Sequence, residues 1–211
     1  MVKWPLVVFL KHIINESIKN KQGLYFYAGE IRKISHKYMN NPYKRWQKLF
    51  LFCLGLSAGT AFCMKWMEGD FWQNGEKFTI IGLEISYTKE KLAAILSGLD
   101  EPVKTILRYH ISFDFAFMAG VYPGIAALCM MAREKTTKPV LQKILLVFAF
   151  LQTVAWGCDI GENILLSHWI KNPVSISDFG TYHIIVIVKW SIALMGPILA
   201  MPLAIRRRKR V

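Results

Sequence analysis

Four ionisable side chains stand inside otherwise apolar runs of this sequence: Asp114, Asp159, Glu162 and Lys189. Such groups cost about 2.5–3.5 kcal/mol each at the centre of a membrane helix on insertion scales, so they are kept where they pair or act on a ligand, proton or ion. Asp159, Glu162 and Asn163 fall at i, i+3 and i+4, which puts all three on one helix face, and His110 and Asp114 form a second i, i+4 pair. Paired carboxylates beside a histidine can exchange protons with a bound molecule. In that reading Glu162 or Asp159 is the base, His110 its partner and Lys189 the electrostatic stabiliser, giving the catalytic set Asp114, Asp159, Glu162, Lys189 and His110. Asn163, Arg108, Tyr122 and His183 are the expected ligand contacts.

Three other chemistries fit the same residues less well. A buried ion pair of Lys189 with Asp114 or Asp159 would fix helix register, but it leaves three carboxylates against one lysine. Di-metal bundle sites use Glu-x-x-His pairs, which Asp159-x-x-Glu162 and His110-xxx-Asp114 match imperfectly, so no metal is expected. Cation or proton passage would need an oligomeric pore, because the other halves of the apolar runs offer little beyond Ser57, Thr60, Gln152 and Thr153. No HExxH, P-loop or glycine-rich dinucleotide signature supports zincin or nucleotide chemistry. The sequence leaves the cofactor unknown.

The elements that must position these groups follow from hydropathy. The chain has 211 residues, 54% hydrophobic and 19% charged, with a net charge of +13. A soluble domain carries about 25% charge, and here the apolar residues are gathered in long blocks, which excludes an ordinary soluble domain and a disordered chain. Spans of about 20 residues cross a bilayer, and four are expected, over residues 44–67, 109–132, 140–166 and 182–205. Lys and Arg bias sets orientation. Residues 1–48, 133–143 and the tail Arg206–Arg210 together hold nineteen bases and three acids, whereas Lys65–Arg108 holds six bases and seven acids. The expectation is a multi-pass plasma (inner) membrane protein with cytoplasmic N- and C-termini, a cytoplasmic loop at 133–139, and extracytoplasmic connections at 68–108 and 167–181. All four intramembrane ionisable groups then lie in the outer half, ringed by Lys65, Arg108, His110, His168 and His183.

The appendages are read separately. Residues 1–20 lack the apolar length and small-residue site of a signal peptide. Leu6, Phe9, Leu10, Ile13 and Ile14, then Leu24, Tyr27, Ile31, Ile34 and Tyr38, recur at helical spacing, so residues 1–43 are expected to form amphipathic helices on the cytoplasmic membrane surface, or to dock a cytoplasmic protein. The basic tail at 206–211 is expected to meet anionic lipid at the cytoplasmic face; without aromatic or base-reading partners, nucleic acid is not expected. In the 68–108 connection, the β-rich run Phe78–Tyr87 after Asn74-Gly75 suggests a hairpin, and Thr88 would cap a helix Lys89–Leu99 ended by Gly98 and Pro102. Gly55-xxx-Gly59, Ala116-xxx-Gly120-xxx-Gly124 and Gly157-xxx-Gly161 are ridges for close helix packing, and Pro123, Pro197 and Pro202 lie within spans. Cys53, Cys63, Cys129 and Cys158 show no CxxC spacing; a Cys63–Cys158 bridge is conceivable.

The run Asp114-Phe115-Ala116-Phe117 with Tyr122, followed by Asp159-Ile160-Gly161-Glu162-Asn163 and Lys189, resembles a loose set of small bacterial four-span membrane proteins of unknown function. The resemblance covers residues 46–205 and implies a shared polar site without an activity. The fold expected is an all-α membrane protein: a four-helix transmembrane bundle with N-terminal amphipathic helices and a small extracytoplasmic hairpin/helix cap. The function expected is binding, and as an open option transformation, of a lipid-like or small amphiphilic ligand in an outer-half polar pocket. The alternative is a non-enzymatic module, either an oligomeric pore (a homo-oligomer) or an accessory subunit acting through its basic cytoplasmic helices.

Overall fold

A computed structural model of the chain describes residues 41–86, 88–173 and 176–206. The amphipathic pattern from Leu6 to Tyr38 and the basic residues Arg207–Arg210 lie outside the described residues. Contacts divide the chain into residues 1–45 and 46–211; apart from the first turn of the helix that begins at Pro42, the account below concerns the second unit.

Helix α1 (Pro42–Met67) starts where the Asn41 side chain accepts the Tyr43 N–H at 3.1 Å, with Pro42 in the first turn. A 3-10 turn (Glu68–Asp70) leads into two short antiparallel strands, β1 (Trp72–Gln73) and β2 (Glu76–Lys77). Asn74 and Gly75 join them with φ of 50° and 81°, the left-handed pair that a two-residue hairpin turn requires. Helix α2 (Lys89–Ser97) is capped by Thr88, whose hydroxyl accepts the Lys91 N–H at 3.3 Å. Three long helices follow: α3 (Glu101–Lys135), α4 (Pro139–Lys171) and α5 (Phe179–Ile205). Asp100 caps α3 by accepting the Val103 N–H at 3.1 Å. Pro102 therefore opens a helix in its first turn, where its missing N–H costs nothing.

Four helices, α1, α3, α4 and α5, are long and apolar enough to cross a membrane, so the chain is a helical multi-pass membrane protein. At 1.5 Å per residue, the 35 residues of α3 extend about 50 Å, well beyond a hydrocarbon core of about 30 Å. The surplus turns of α3 and α4 build a second core with the α1–α3 connection. Phe71, Phe78, Leu83, Leu92 and Leu96 of that connection bury against Leu107, Ile111, Leu166, Trp169, Ile170 and Tyr182.

The run Phe78–Tyr87 departs from the strand expected of its β-branched content. The hairpin stops at Lys77, and Gly82–Ser86 forms a π-helical turn. Thr79 drives this locally: its hydroxyl accepts the Gly82 N–H at 3.0 Å and its carbonyl accepts the Leu83 N–H at 3.1 Å. Packing agrees, since Phe78 and Leu83 are both buried in one core. An odd separation of five would send them to opposite faces of a strand.

Helices α3, α4 and α5 pack mutually, and α1 rests against α3. A Cβ at Gly120 would lie 2.6 Å from Ser57 Oγ and 3.0 Å from the Cys53 carbonyl oxygen, so only glycine admits α1 this closely. The other glycine ridges do not pack within the described chain: Gly55, Gly59, Gly157 and Gly161 face open space. Much of α1 is likewise exposed, including Phe52, Phe62 and Trp66. Both α3 and α5 continue through their internal prolines. The four cysteines are free thiols.

Candidate functional site

A polar layer lies across the bundle between the apolar core shared with the connection and a central cluster of Met118, Tyr122 and Ala155. Lys189 of α5 is its hub. Its ammonium donates to Asp159 Oδ1 at 2.8 Å and to Glu84 Oε2 at 3.3 Å. It also lies 2.6 Å from Glu162 Oε2, an ion-pair contact outside hydrogen-bond geometry. Asp159 is saturated from both sides, because Tyr122 OH donates to its Oδ2 at 2.7 Å. The i, i+3, i+4 spacing on α4 does place Asp159, Glu162 and Asn163 on one buried face. The face splits its duties: Asp159 and Glu162 turn to Lys189, whereas Asn163 Nδ2 donates to Asp114 Oδ2 at 2.6 Å.

A cavity of about 270 Å³ opens against this layer. Helix α1 supplies Ala61, Met64 and Lys65 as one wall, α5 supplies Trp190 and Ala193 as another, and α3 forms the back with Phe117, Val121 and Tyr122. Ile80 and Ile81 close it from the connection. The polar end consists of Glu68, Glu84, His110, Asp114, Asp159 and Lys189. The walls are apolar and aromatic while the polar groups converge at one end, the usual build of a small-molecule site. Beyond the polar layer the bundle interior is filled by apolar side chains, among them Leu128, Cys129, Leu145 and Ala200.

His110 and Asp114 sit one helical turn apart on α3 and both line the cavity. His110 is 3% exposed and its ring packs on Phe71 with centroids 5.4 Å apart. Its Nδ1 is buried without a hydrogen-bond partner among the described residues. A buried polar atom left unpaired costs about 1–3 kcal/mol, so this nitrogen is one of the unsatisfied groups of the described residues. Asp114, half-buried, uses only Oδ2 in hydrogen bonding among the described residues.

Of the nine residues expected at the site, seven come together: Asp114, Asp159, Glu162, Lys189, His110, Asn163 and Tyr122. Arg108 is exposed one turn outside the cavity lining. His183 stacks on Phe179 at 6.1 Å and is also absent from that lining. Three participants were not anticipated. Glu84 bridges Lys189 and the Trp190 indole N–H, the latter at 3.1 Å. Its signal was present, as the lone acid within the apolar run Phe78–Tyr87. Glu68, buried and holding Lys65 at 2.5 Å and the Ile80 N–H at 3.3 Å, was hidden among the seven acids of the connection. Trp190 carried no signal except its place beside Lys189.

Among the described residues, no group of three His, Cys, Asp or Glu side chains is placed to hold one metal ion. In comparisons with known proteins, no family model, no curated protein and no solved structure matches this chain.

Proposed function

We propose that the protein binds a lipid-like or small amphiphilic molecule in this cavity, with the ligand's polar end against Asp114 and His110. The observation that carries the reading is the combination of apolar walls with one polar end that holds an unpartnered buried nitrogen. The asymmetry suits a molecule with one polar and one apolar end. At about 270 Å³ the cavity is near the lower limit of ligand sites, which run to about 300–1,000 Å³. It matches a headgroup and the first methylenes rather than a whole phospholipid.

The membrane is the plasma membrane, with the termini in the cytoplasm and the α1–α3 connection outside. The support is the segregation of nineteen bases to the segments on one side. The cavity then lies in the outer half, within reach of the outer leaflet. Any chemistry on the ligand falls to Asp114 and His110, since Asp159 and Glu162 are occupied by Lys189.

Mass spectrometry of molecules that co-purify in mild detergent tests the proposal. Wild type is run beside Asp114→Asn, which keeps an oxygen for Asn163 to bond. A discrete amphiphile present in wild type and lost from the variant is the expected result. Identical profiles would refute the reading.

A further inference from the structure

The polar end of the cavity has a charge signature of its own. In the polar layer against which that end lies, Glu84, Asp114, Asp159 and Glu162 supply four carboxyl groups, and Lys189 is the one ammonium among them. Charges withdrawn from water are retained when paired and hydrogen-bonded, and this group is short of positive partners. The Lys189 ammonium itself shows what the layer accepts, because it meets three carboxylates within 3.3 Å. It is fully used, with Asp159 and Glu162 turned toward it. Lys65, at the rim, is occupied by Glu68.

Lining the cavity are Asp114, His110, whose Nδ1 is buried without a partner among the described residues, and the rings of Phe117, Tyr122 and Trp190. A carboxylate, an imidazole lone pair and aromatic faces form the set that recognises an organic ammonium, by charge-assisted hydrogen bonds and by attraction to ring faces. A phosphate or sulfate headgroup would instead meet further carboxyl oxygens. A hydroxyl could take one hydrogen bond but would leave the charge unbalanced.

Resting on the amphiphile reading above, we infer that the cavity takes the ammonium end of an alkylamine-type amphiphile, held by Asp114 and His110 and flanked by the three rings. The alkyl chain runs between Met64 of α1 and Ala193 of α5. The amine can come from a simple long-chain amine or from an aminoalkyl lipid headgroup.

The test uses the full chain in dodecyl maltoside and equilibrium dialysis with three probes of equal chain length: decylamine, decanol and decyl phosphate. Ala61→Trp, which fills the cavity from the loosely packed α1, reports binding elsewhere. The expected result is saturable decylamine binding about tenfold or more tighter than either other probe. It falls about tenfold in Asp114→Asn and about threefold in His110→Phe, a variant that keeps the ring stack on Phe71. Displacement of decylamine by lysophosphatidylethanolamine assigns the amine to a lipid headgroup; displacement by alkylamines alone assigns it to a free amine. Equal binding of all three probes, abolished by Ala61→Trp, would overturn the ammonium inference and leave the amphiphile reading standing. Tightest binding of decyl phosphate would do the same. Absence of saturable binding by every probe would remove both.

Discussion

The two sides of the polar layer have similar residue types and opposite states. On the Lys189 side each carboxylate contacts the ammonium, Tyr122 completes Asp159, and Glu162 is 1% exposed. On the Asp114 side a half-buried carboxyl and an unpartnered imidazole nitrogen lie one helical turn apart on residues that line the cavity, which also reaches Asp159 and Lys189. An intramembrane charge is often taken as a mark of function. The contrast refines that rule: carboxyl groups gathered on one ammonium hold helices in register, and an unpartnered group beside a cavity is where the proposed ligand is received.

Removing the hub should separate the two sides most strongly. Lys189→Met leaves three carboxyl groups buried together, and breaking a buried pair costs about 3–5 kcal/mol. Thermal unfolding of the purified protein should fall sharply, and adding Glu162→Gln to Lys189→Met should recover part of the loss. Tyr122→Phe should come next. It deletes the hydrogen bond to Asp159 Oδ2, worth about 1.5–3 kcal/mol for a bond to a charged group, again read as unfolding temperature with ligand occupancy retained.

Gly120→Ala tests the wall instead of the layer. A Cβ there meets Cys53 and Ser57 backbone atoms at 3.0 Å, so α1 must shift, at about 1–3 kcal/mol for overpacking. Since Ala61, Met64 and Lys65 of α1 line the cavity, occupancy should drop too. Gly161→Ala, facing open space, should change neither quantity. Among the variants expected to lose occupancy, the smallest stability effect belongs to Asp114→Asn, within about 1 kcal/mol of wild type because the bond from Asn163 can persist.

The sequence was informative where one helix sufficed. The four spans follow from length and apolarity, and the α4 face of Asp159, Glu162 and Asn163 follows from the 3.6-residue period alone. Division of labour within that face was not legible, because it depends on which neighbouring helix each residue meets. Glu84 was read as part of a strand: its run has strand-like composition, and the Thr79 turn that overrides this is a local hydrogen-bond choice. The glycine ridges looked alike in sequence, yet Gly120 receives a helix while Gly55 and Gly161 do not. Spacing shows that close approach is allowed, and only the partner helix shows whether it occurs. Arg108 and His183 were drawn in by depth, and their helix faces carry them away from the cavity.

The most direct test of the division between a structural and a receptive side sets Tyr122→Phe beside Asp114→Asn, measuring unfolding temperature and bound amphiphile on the same preparations. The account predicts opposite losses: Tyr122→Phe loses stability and keeps its ligand, and Asp114→Asn keeps stability and loses its ligand. Parallel losses of both quantities in both variants would contradict it and make the polar layer a single structural network.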